Sequence, residues 1–489
     1  MSFRRAYPEA QERYWHCLRR YFQTHRHKDN SYKKKVLSIR YGEALQYYEA
    51  LIHHLSEHAL DRERATPSKL YQWGLKECEY ALMDPTFLRT HLPNASSEQL
   101  RSFRRRLTTV WAMKNVTTIR EATKALRGIS RYYMRTFHVS ATPLVLECLC
   151  GSCYAVDDYT MYLTPADLRN LVDSLKGETV GIGVKLGLRG DQIVITRVAG
   201  EGPAFEDAAI PFLIGEEIVK IDGRPTQDMA LETAVELLQG APGSKVMIEI
   251  HNPSDIESRV ETLTRRRVRW PSVLVHFSEN DADIGIITIQ SFQANTAREV
   301  QKALADFQKH DVKAIVVDLR GNRGGLFNPA IQAAELFLQS GTIVSTKAYD
   351  PKLNRTFTAD NPKACTLPLV VLVDGMTASS AEVMAGALKG NERPSPTILV
   401  GQTTYGKSCV QQLWPLRSRH GGKPLEGMLR VTIAKFYSPS GVPYSGTGIV
   451  PHKKVDNVGS MDGRDHQLDT AIVEIRKHVP STMVEMVMR

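Results

Sequence analysis

The 489-residue sequence has few cysteines and no long hydrophobic run. No apolar stretch approaches the roughly 20 residues of a membrane-spanning helix, so we predict no integral membrane segment. The start, M-S-F-R-R-A-Y-P-E, lacks the apolar core that a secretion signal needs. Seven cysteines, an odd number, do not form a disulfide framework.

Three of the cysteines, Cys148, Cys150 and Cys153, form a C-x-C-x-x-C cluster with His138 upstream. A zinc site normally has four ligands. The cluster lies in the apolar stretch V-L-E-C-L-C-G-S-C, which is typical of buried thiols. We therefore predict no metal site.

The net charge of +10 is small for this length. Basic runs at Lys33–Lys35, Arg104–Arg106 and Arg265–Arg267 are explained by solvated faces. The aromatic interleaving or fold motif typical of nucleic-acid binding is lacking, so we predict no nucleic-acid partner. Attraction to acidic partners or anionic surfaces stays open.

The length indicates two to four domains, and residues 1–150 have mostly helical patterns. Gly42–Leu60 carries an apolar stripe with a period of 3.6 residues. Helix starts are indicated by Thr66-Pro67 and by two capping boxes, Ser96 with Gln99 and Thr118 with Glu121.

A strand-to-helix turn near residue 380 has the pattern of a catalytic site. The apolar run Leu367–Val373 predicts a buried strand, and a helix pattern begins near Ala381. Ser379 and Ser380 therefore lie in a turn where the first N–H groups of a helix stabilise negative charge.

Lys407 is the candidate base for a serine, because Ser/Lys pairs perform acyl transfer. The lysine must be neutral, so its pKa near 10.4 must fall by roughly 2–4 units through burial. Gln411 lies four residues further on, hence on the same face if the segment is helical. The alternative is a helix-capping serine and a solvated lysine.

From Gly177 to about Pro451 the sequence resembles the carboxyl-terminal processing peptidases, or tail-specific proteases, which carry an inserted PDZ domain. The matching blocks occur in the family's order: V-G-I-G-V at Val180–Val184, I-G-I-I-T-I-Q-S-F at Ile284–Phe292, V-V-D-L-R-G-N-R-G-G-L at Val316–Leu326, T-A-S-S-A-E-V-M-A-G-A-L at Thr377–Leu388, L-V-G-Q-T-T-Y-G-K at Leu399–Lys407, F-Y-S-P-S-G at Phe436–Gly441 and G-I-V-P at Gly448–Pro451.

The resemblance implies specific roles. The nucleophile, three positions before Glu382, is Ser379, the base is Lys407 and Gln411 supports the base. The oxyanion hole takes one backbone N–H from Gly324 and one from Ser380. The substrate-binding loop comprises Gly181, Ile182, Gly183 and Val184. Pro394–Pro396 departs from the family as a short insertion, and Arg323 stands where the family often has proline.

The implied fold class is an α/β multidomain protein. It comprises a helical N-terminal region (1–150), a PDZ-like domain (165–255), a serine peptidase core of the Clp protease/crotonase type (258–455) and a C-terminal helical tail (456–489). The implied function is a serine endopeptidase that uses a Ser/Lys dyad and needs no cofactor. It cleaves proteins near their C-termini, and its PDZ domain captures the nonpolar C-terminal tails of these substrates.

Two alternatives stay open, a catalytically inactive PDZ scaffold and an acyl-CoA enzyme related to the crotonases. The resemblance suggests a periplasmic or other extracytoplasmic site, although no signal peptide is visible. The oligomeric state is not indicated by the sequence.

Overall fold

The computed structural model describes residues 8–255, 257–278, 281–419, 421–456 and 464–479. The N-terminal part is helical, as predicted, with a π-helical turn at Leu107–Trp111. Its helices are α1 (Pro8–Lys28), α2 (Asn30–Lys35), α3 (Tyr41–His58), α4 (Pro67–Ala81), α5 (Pro85–His91), α6 (Ser97–Arg106), α7 (Ile119–Phe137) and α8 (Thr142–Cys153).

The predicted helix starts are confirmed. Thr66 caps α4 through its hydroxyl, which accepts from the amide of Lys69, and proline occupies the first helical position. Ser96 and Thr118 open α6 and α7 with capping boxes. None of the described helices combines the length and the apolarity that crossing a bilayer requires.

Residues 178–269 form a small sheet with a helix against one side. Strand β1 (Met161–Leu163) and helix α9 (Pro165–Lys176) precede it. The sheet has the order β3-β4-β5-β7-β8, with β6 paired to β5, and a separate ribbon pairs β2 with β9. Its elements are β2 (Glu178–Gly181), β3 (Val184–Arg189), β4 (Gln192–Val198), α10 (Pro203–Glu206), β5 (Glu217–Ile221), β6 (Arg224–Pro225), α11 (Leu231–Leu238), β7 (Lys245–His251), β8 (Arg259–Thr264) and β9 (Arg266–Arg269).

Residues 273–476 alternate strands and helices around a six-stranded sheet with the order β10-β11-β12-β15-β16-β19, parallel except for β10. These elements are β10 (Val273–Ser278), β11 (Asp281–Ile289), α12 (Thr296–Lys309), β12 (Ala314–Asp318), α13 (Phe327–Glu335), β13 (Ser340–Ala348), a 3-10 turn (Pro351–Leu353), β14 (Arg355–Asp360), β15 (Leu369–Val373), α14 (Ser380–Gly390), β16 (Thr397–Gly401), β17 (Cys409–Trp414), β18 (Met428–Tyr437), β19 (Lys453–Lys454) and α15 (His466–Arg476).

A second sheet joins the core to the N-terminal helices. It has the order β1-β18-β13-β14, and β17 pairs with β18. Leu429 and Val431 on β18 belong to the same buried apolar cluster as Tyr48, Leu51 and Leu126 of the helices. The strand that follows Lys407 is therefore packed through β18 against the helical region. Of the expected C-terminal tail, α15 is described, whereas 457–463 and 480–489 lie outside the described residues.

Candidate active site

The turn between β15 and α14 is held by side chains on both of its sides. Every residue of β15 is buried. The Asp374 carboxylate accepts from the amides of Gly321, Met376 and Thr377, and the Thr377 hydroxyl donates to the Leu319 carbonyl at 2.8 Å. The turn is thereby fixed to the end of the neighbouring strand β12.

Ser379 occupies the sharp point of this turn, directly before α14. Its backbone has φ 57° and ψ −120°, a combination that a residue with a side chain rarely adopts and that costs on the order of 1–3 kcal/mol. Such strain persists only where the surroundings hold the backbone in place.

The Glu382 carboxylate holds the Ser379 backbone in this conformation through hydrogen bonds. One oxygen, Oε2, accepts from the amide of Ser379 at 2.9 Å and from the amide of Lys407 at 2.8 Å. The other, Oε1, accepts from the amide of Gly406 at 2.7 Å and from the hydroxyl of Thr404 at 2.6 Å. The backbones of both candidate catalytic residues are thus bound to the same oxygen atom.

All four partners of Glu382 are donors, which fits an ionised carboxylate because it only accepts. The Thr404 hydroxyl donates to Glu382, and its oxygen also accepts from the amide of Ile449 at 2.7 Å. Burial raises the pKa of Glu382, and the four hydrogen bonds act in the opposite direction.

Lys407 has a largely buried amine with a lowered pKa. Burial is the main cause, and the nearby positive charge of Arg430 adds to it. The amine lies 3.4 Å from Gln411 Oε1 and 4.5 Å from the centroid of the Tyr159 ring. Among the described residues no hydrogen bond joins Lys407 Nζ to Ser379 Oγ, so the structure brings the two backbones together but not the two reacting atoms.

Tyr159 and Gln411, which both adjoin the Lys407 amine, are also hydrogen-bonded to each other. The Tyr159 carbonyl accepts from Gln411 Nε2 at 3.0 Å and from Arg430 Nε at 3.3 Å. The helical spacing considered for Lys407 and Gln411 is wrong, because Gln411 belongs to the extended strand β17, paired with β18. The two side chains nevertheless meet.

The glycine-rich turn after β12 lies against the turn that contains Ser379. Gly324 has φ 103°, and a Cβ at that position would lie 2.9 Å from both the Ala378 carbonyl oxygen and Ser379 Cβ. Its amide donates to Asn322 Oδ1 at 2.8 Å, so this expected oxyanion donor is engaged within its own loop. The Ser380 amide is the first of α14, where no intrahelical acceptor exists.

The expected peptide-binding loop lies between β2 and β3. Gly181 ends β2, Ile182 is buried in the PDZ core, Gly183 has φ 84° and Val184 begins β3. A cleft of about 260 Å³ runs along this loop between β3 and α11, with Leu186, Val235 and Leu238 among its lining residues. In the part of the chain that is described, β3 pairs only with β4 and leaves its other edge open.

The three cysteines of the C-x-C-x-x-C cluster lie on one buried helix. Cys148, Cys150 and Cys153 are buried, reduced thiols on α8, which confirms the prediction of buried thiols. Across the described ranges, no three His, Cys, Asp or Glu side chains converge as metal ligands.

In the sequence, Glu382 served only to locate the proposed nucleophile. The hydrogen bond that its carboxylate accepts from the Lys407 amide was not predicted. The S-x-x-E pattern of a capping box was the available signal, and it covers only the bond to Ser379. Tyr159 and Arg430 were missed because they are distant from Lys407 in the sequence.

Comparison with known proteins gives matches over both the PDZ part and the core. The model of peptidase family S41 matches residues 283–455, and the PDZ domain model matches residues 171–251. The chain is 32% identical over 304 residues to the carboxyl-terminal-processing protease of Synechocystis sp., covering 61% of this chain and 68% of the relative. It is 28% identical over 346 residues to the carboxy-terminal-processing protease of Bartonella bacilliformis, covering 69% and 75%.

Among solved structures, the chain is similar to the photosystem II D1 C-terminal processing protease, with 24% sequence identity and a TM-score of 0.42. The similarity covers 85% of this chain and 93% of that one.

Proposed function

Because the chain belongs to the carboxyl-terminal processing protease family and has a PDZ domain and a serine-type S41 peptidase core, we propose that it is an endopeptidase with a Ser379/Lys407 dyad. The observation that carries the proposal is the shared Glu382 oxygen, which fixes the amides of both residues. The burial that lowers the pKa of Lys407 also supports it, since only a neutral amine accepts a proton.

In the proposed reaction, Lys407 Nζ turns from Gln411 towards Ser379 and takes the hydroxyl proton. Ser379 Oγ attacks the scissile carbonyl carbon and forms a tetrahedral intermediate. The lysine gives the proton to the leaving amine as the peptide bond breaks. Water then attacks the resulting acyl-enzyme, again with Lys407 as base, and releases the new carboxyl terminus.

The oxyanion is stabilised by backbone donors, each contributing roughly 3–4 kcal/mol in related sites. The Ser380 amide is the first, because the start of α14 provides it with no internal acceptor. The Gly324 amide is the second and exchanges its bond to Asn322 for the oxyanion. No metal or cofactor takes part.

Substrate tails are captured by the PDZ domain. An extended C-terminal peptide adds as a strand to the open edge of β3, and the amides of the loop Gly181–Val184 bind its carboxylate. Leu186, Val235 and Leu238 make the adjoining cleft apolar, which favours nonpolar tail residues.

The test uses adjacent serines as a matched pair. We expect Ser379→Ala and Lys407→Ala to lose cleavage of an unfolded protein with a nonpolar C-terminus, although both variants still fold and unfold cooperatively on heating. Ser380→Ala retains its amide and loses only the hydroxyl bond to the Gly325 carbonyl, so its activity should stay within about ten-fold of wild type.

A fluorophosphonate probe distinguishes the enzyme from an inactive tail-binding scaffold. Labelling of wild type and Ser380→Ala but not of Ser379→Ala supports the proposed nucleophile. Tail binding without labelling or cleavage would contradict the endopeptidase and favour the scaffold.

A further inference from the structure

The segment from α6 to α7 concentrates positive charge on one exposed face. Arg120, Lys124, Arg127 and Arg131 recur along α7 at helical spacing, and all four side chains are exposed. With Lys114 they line a cleft of about 680 Å³. We call these five residues the basic cleft.

The basic cleft carries a net positive charge. None of the five cations forms an ion pair with a carboxylate among the described residues. The acidic side chains in the lining are Glu49 and Glu121, so five cations face two carboxylates. The Glu121 carboxylate caps α7, and the bonds from Thr117 and Thr118 that lower its pKa to about 2 keep it negatively charged.

An apolar tip adjoins the basic cleft. Val110 and Met113 precede Lys114 and expose 44% and 80% of their surface. The Trp111 ring between them is already in contact with protein on both counts. It packs against Gly128, and Lys114 Nζ lies 4.1 Å from its centroid, so the ring is not available to stack on a nucleotide base. Sites for single-stranded nucleic acid stack the bases on exposed aromatic rings, whereas aliphatic side chains beside cations suit a lipid interface.

We propose that the basic cleft and the tip formed by Val110 and Met113 are a docking surface for an anionic lipid bilayer. Lipid phosphates occupy the cleft and bind its arginine and lysine side chains. Val110 and Met113 enter the headgroup region, where their apolar surface leaves water. This surface is separate from the site around Ser379.

The test is co-sedimentation of the full chain with vesicles at physiological salt. One set contains phosphatidylcholine alone, and the other contains one part phosphatidylglycerol to two parts phosphatidylcholine. We expect binding only to the anionic set, and weakening with added salt.

The variant Arg127→Gln/Arg131→Gln removes two cations from the basic cleft. Partitioning should fall by about 30-fold, since each basic residue near an anionic surface contributes about five-fold. The matched control, Lys302→Gln/Lys309→Gln, removes the same charge from exposed positions on α12 and should bind like wild type. Met113→Ser should weaken binding with the charge unchanged.

The proposal is overturned if the wild-type protein does not bind the anionic vesicles, or if it binds the anionic and the pure phosphatidylcholine vesicles equally. Equal loss in the control variant would also overturn it, because net charge rather than the cleft would then direct binding. Retention by duplex DNA but not by vesicles would assign the surface to nucleic acid instead.

Discussion

The four donors that converge on Glu382 make the Glu382→Gln substitution a sharp test of the site. Glutamine has almost the same shape, but its amide presents an NH₂ group where the carboxylate has an oxygen. Turned one way, the NH₂ group faces the amides of Ser379 and Lys407; turned the other way, it faces the Gly406 amide and the Thr404 hydroxyl, which can rotate and accept from it.

The expected loss follows from the less costly orientation, in which the Gly406 amide is left without an acceptor. A buried donor without an acceptor costs about 1–3 kcal/mol, so the variant loses about 1–3 kcal/mol of the interactions that hold the segment before Lys407 against the Ser379 turn. Since 1.36 kcal/mol corresponds to a factor of ten in rate, the lower limit predicts a fall of about five-fold in kcat/KM.

Two measurements follow this loss, kcat/KM for a protein substrate and the rate at which a fluorophosphonate labels Ser379. The labelling rate reports the nucleophile without a contribution from tail binding. Glu392→Gln is the matched control, because Glu392 is an exposed carboxylate just after the same helix. Wild-type labelling and turnover in Glu382→Gln would refute the role of the carboxylate.

Three further predictions concern the surroundings of the dyad. Lys407→Met should be more stable than wild type at neutral pH, because a lowered pKa means that the folded protein binds the lysine proton less tightly than the unfolded chain. This advantage should shrink as pH rises towards the ordinary lysine pKa, which urea unfolding at several pH values measures. Arg430→Gln removes a charge that lowers the pKa of Lys407, so the acid limb of the pH–rate profile should move to higher pH; an unmoved limb contradicts the assignment. Gly324→Ala should lose most activity, whereas Gly321→Ala, with φ 68° but open space around its Cβ, should lose stability by about 1 kcal/mol and keep its turnover; equal turnover in the two variants contradicts the close contact with Ser379.

The elements around the nucleophile were predictable because their causes are local. An apolar β-branched run, a break at Asp374 and a helix pattern after Ser380 specify β15, the turn and α14 within a short stretch of sequence. The same is true of the capped helices near the N-terminus, where each cap acts within three residues.

The contacts of Glu382 with Thr404, Gly406 and Lys407 could not be predicted in this way, because they depend on how the segment after β16 passes α14. Local sequence patterns also could not predict that the Gly324 amide donates a hydrogen bond within its own loop. Its bond to Asn322 is a property of the folded turn, and a glycine pattern indicates only that positive φ is needed.

The N-terminal helices reach the surroundings of Lys407 through Tyr159. The Trp15 ring on α1 contacts the Tyr159 ring at 6.3 Å between centroids, and Arg19 forms an ion pair with Asp158 at 3.5 Å. Tyr159 in turn covers the amine of Lys407. Desolvation is the main cause of the lowered pKa, and Tyr159, which lies over the amine, is itself contacted by helix α1. Helix α1 therefore packs against the residue that adjoins the Lys407 amine.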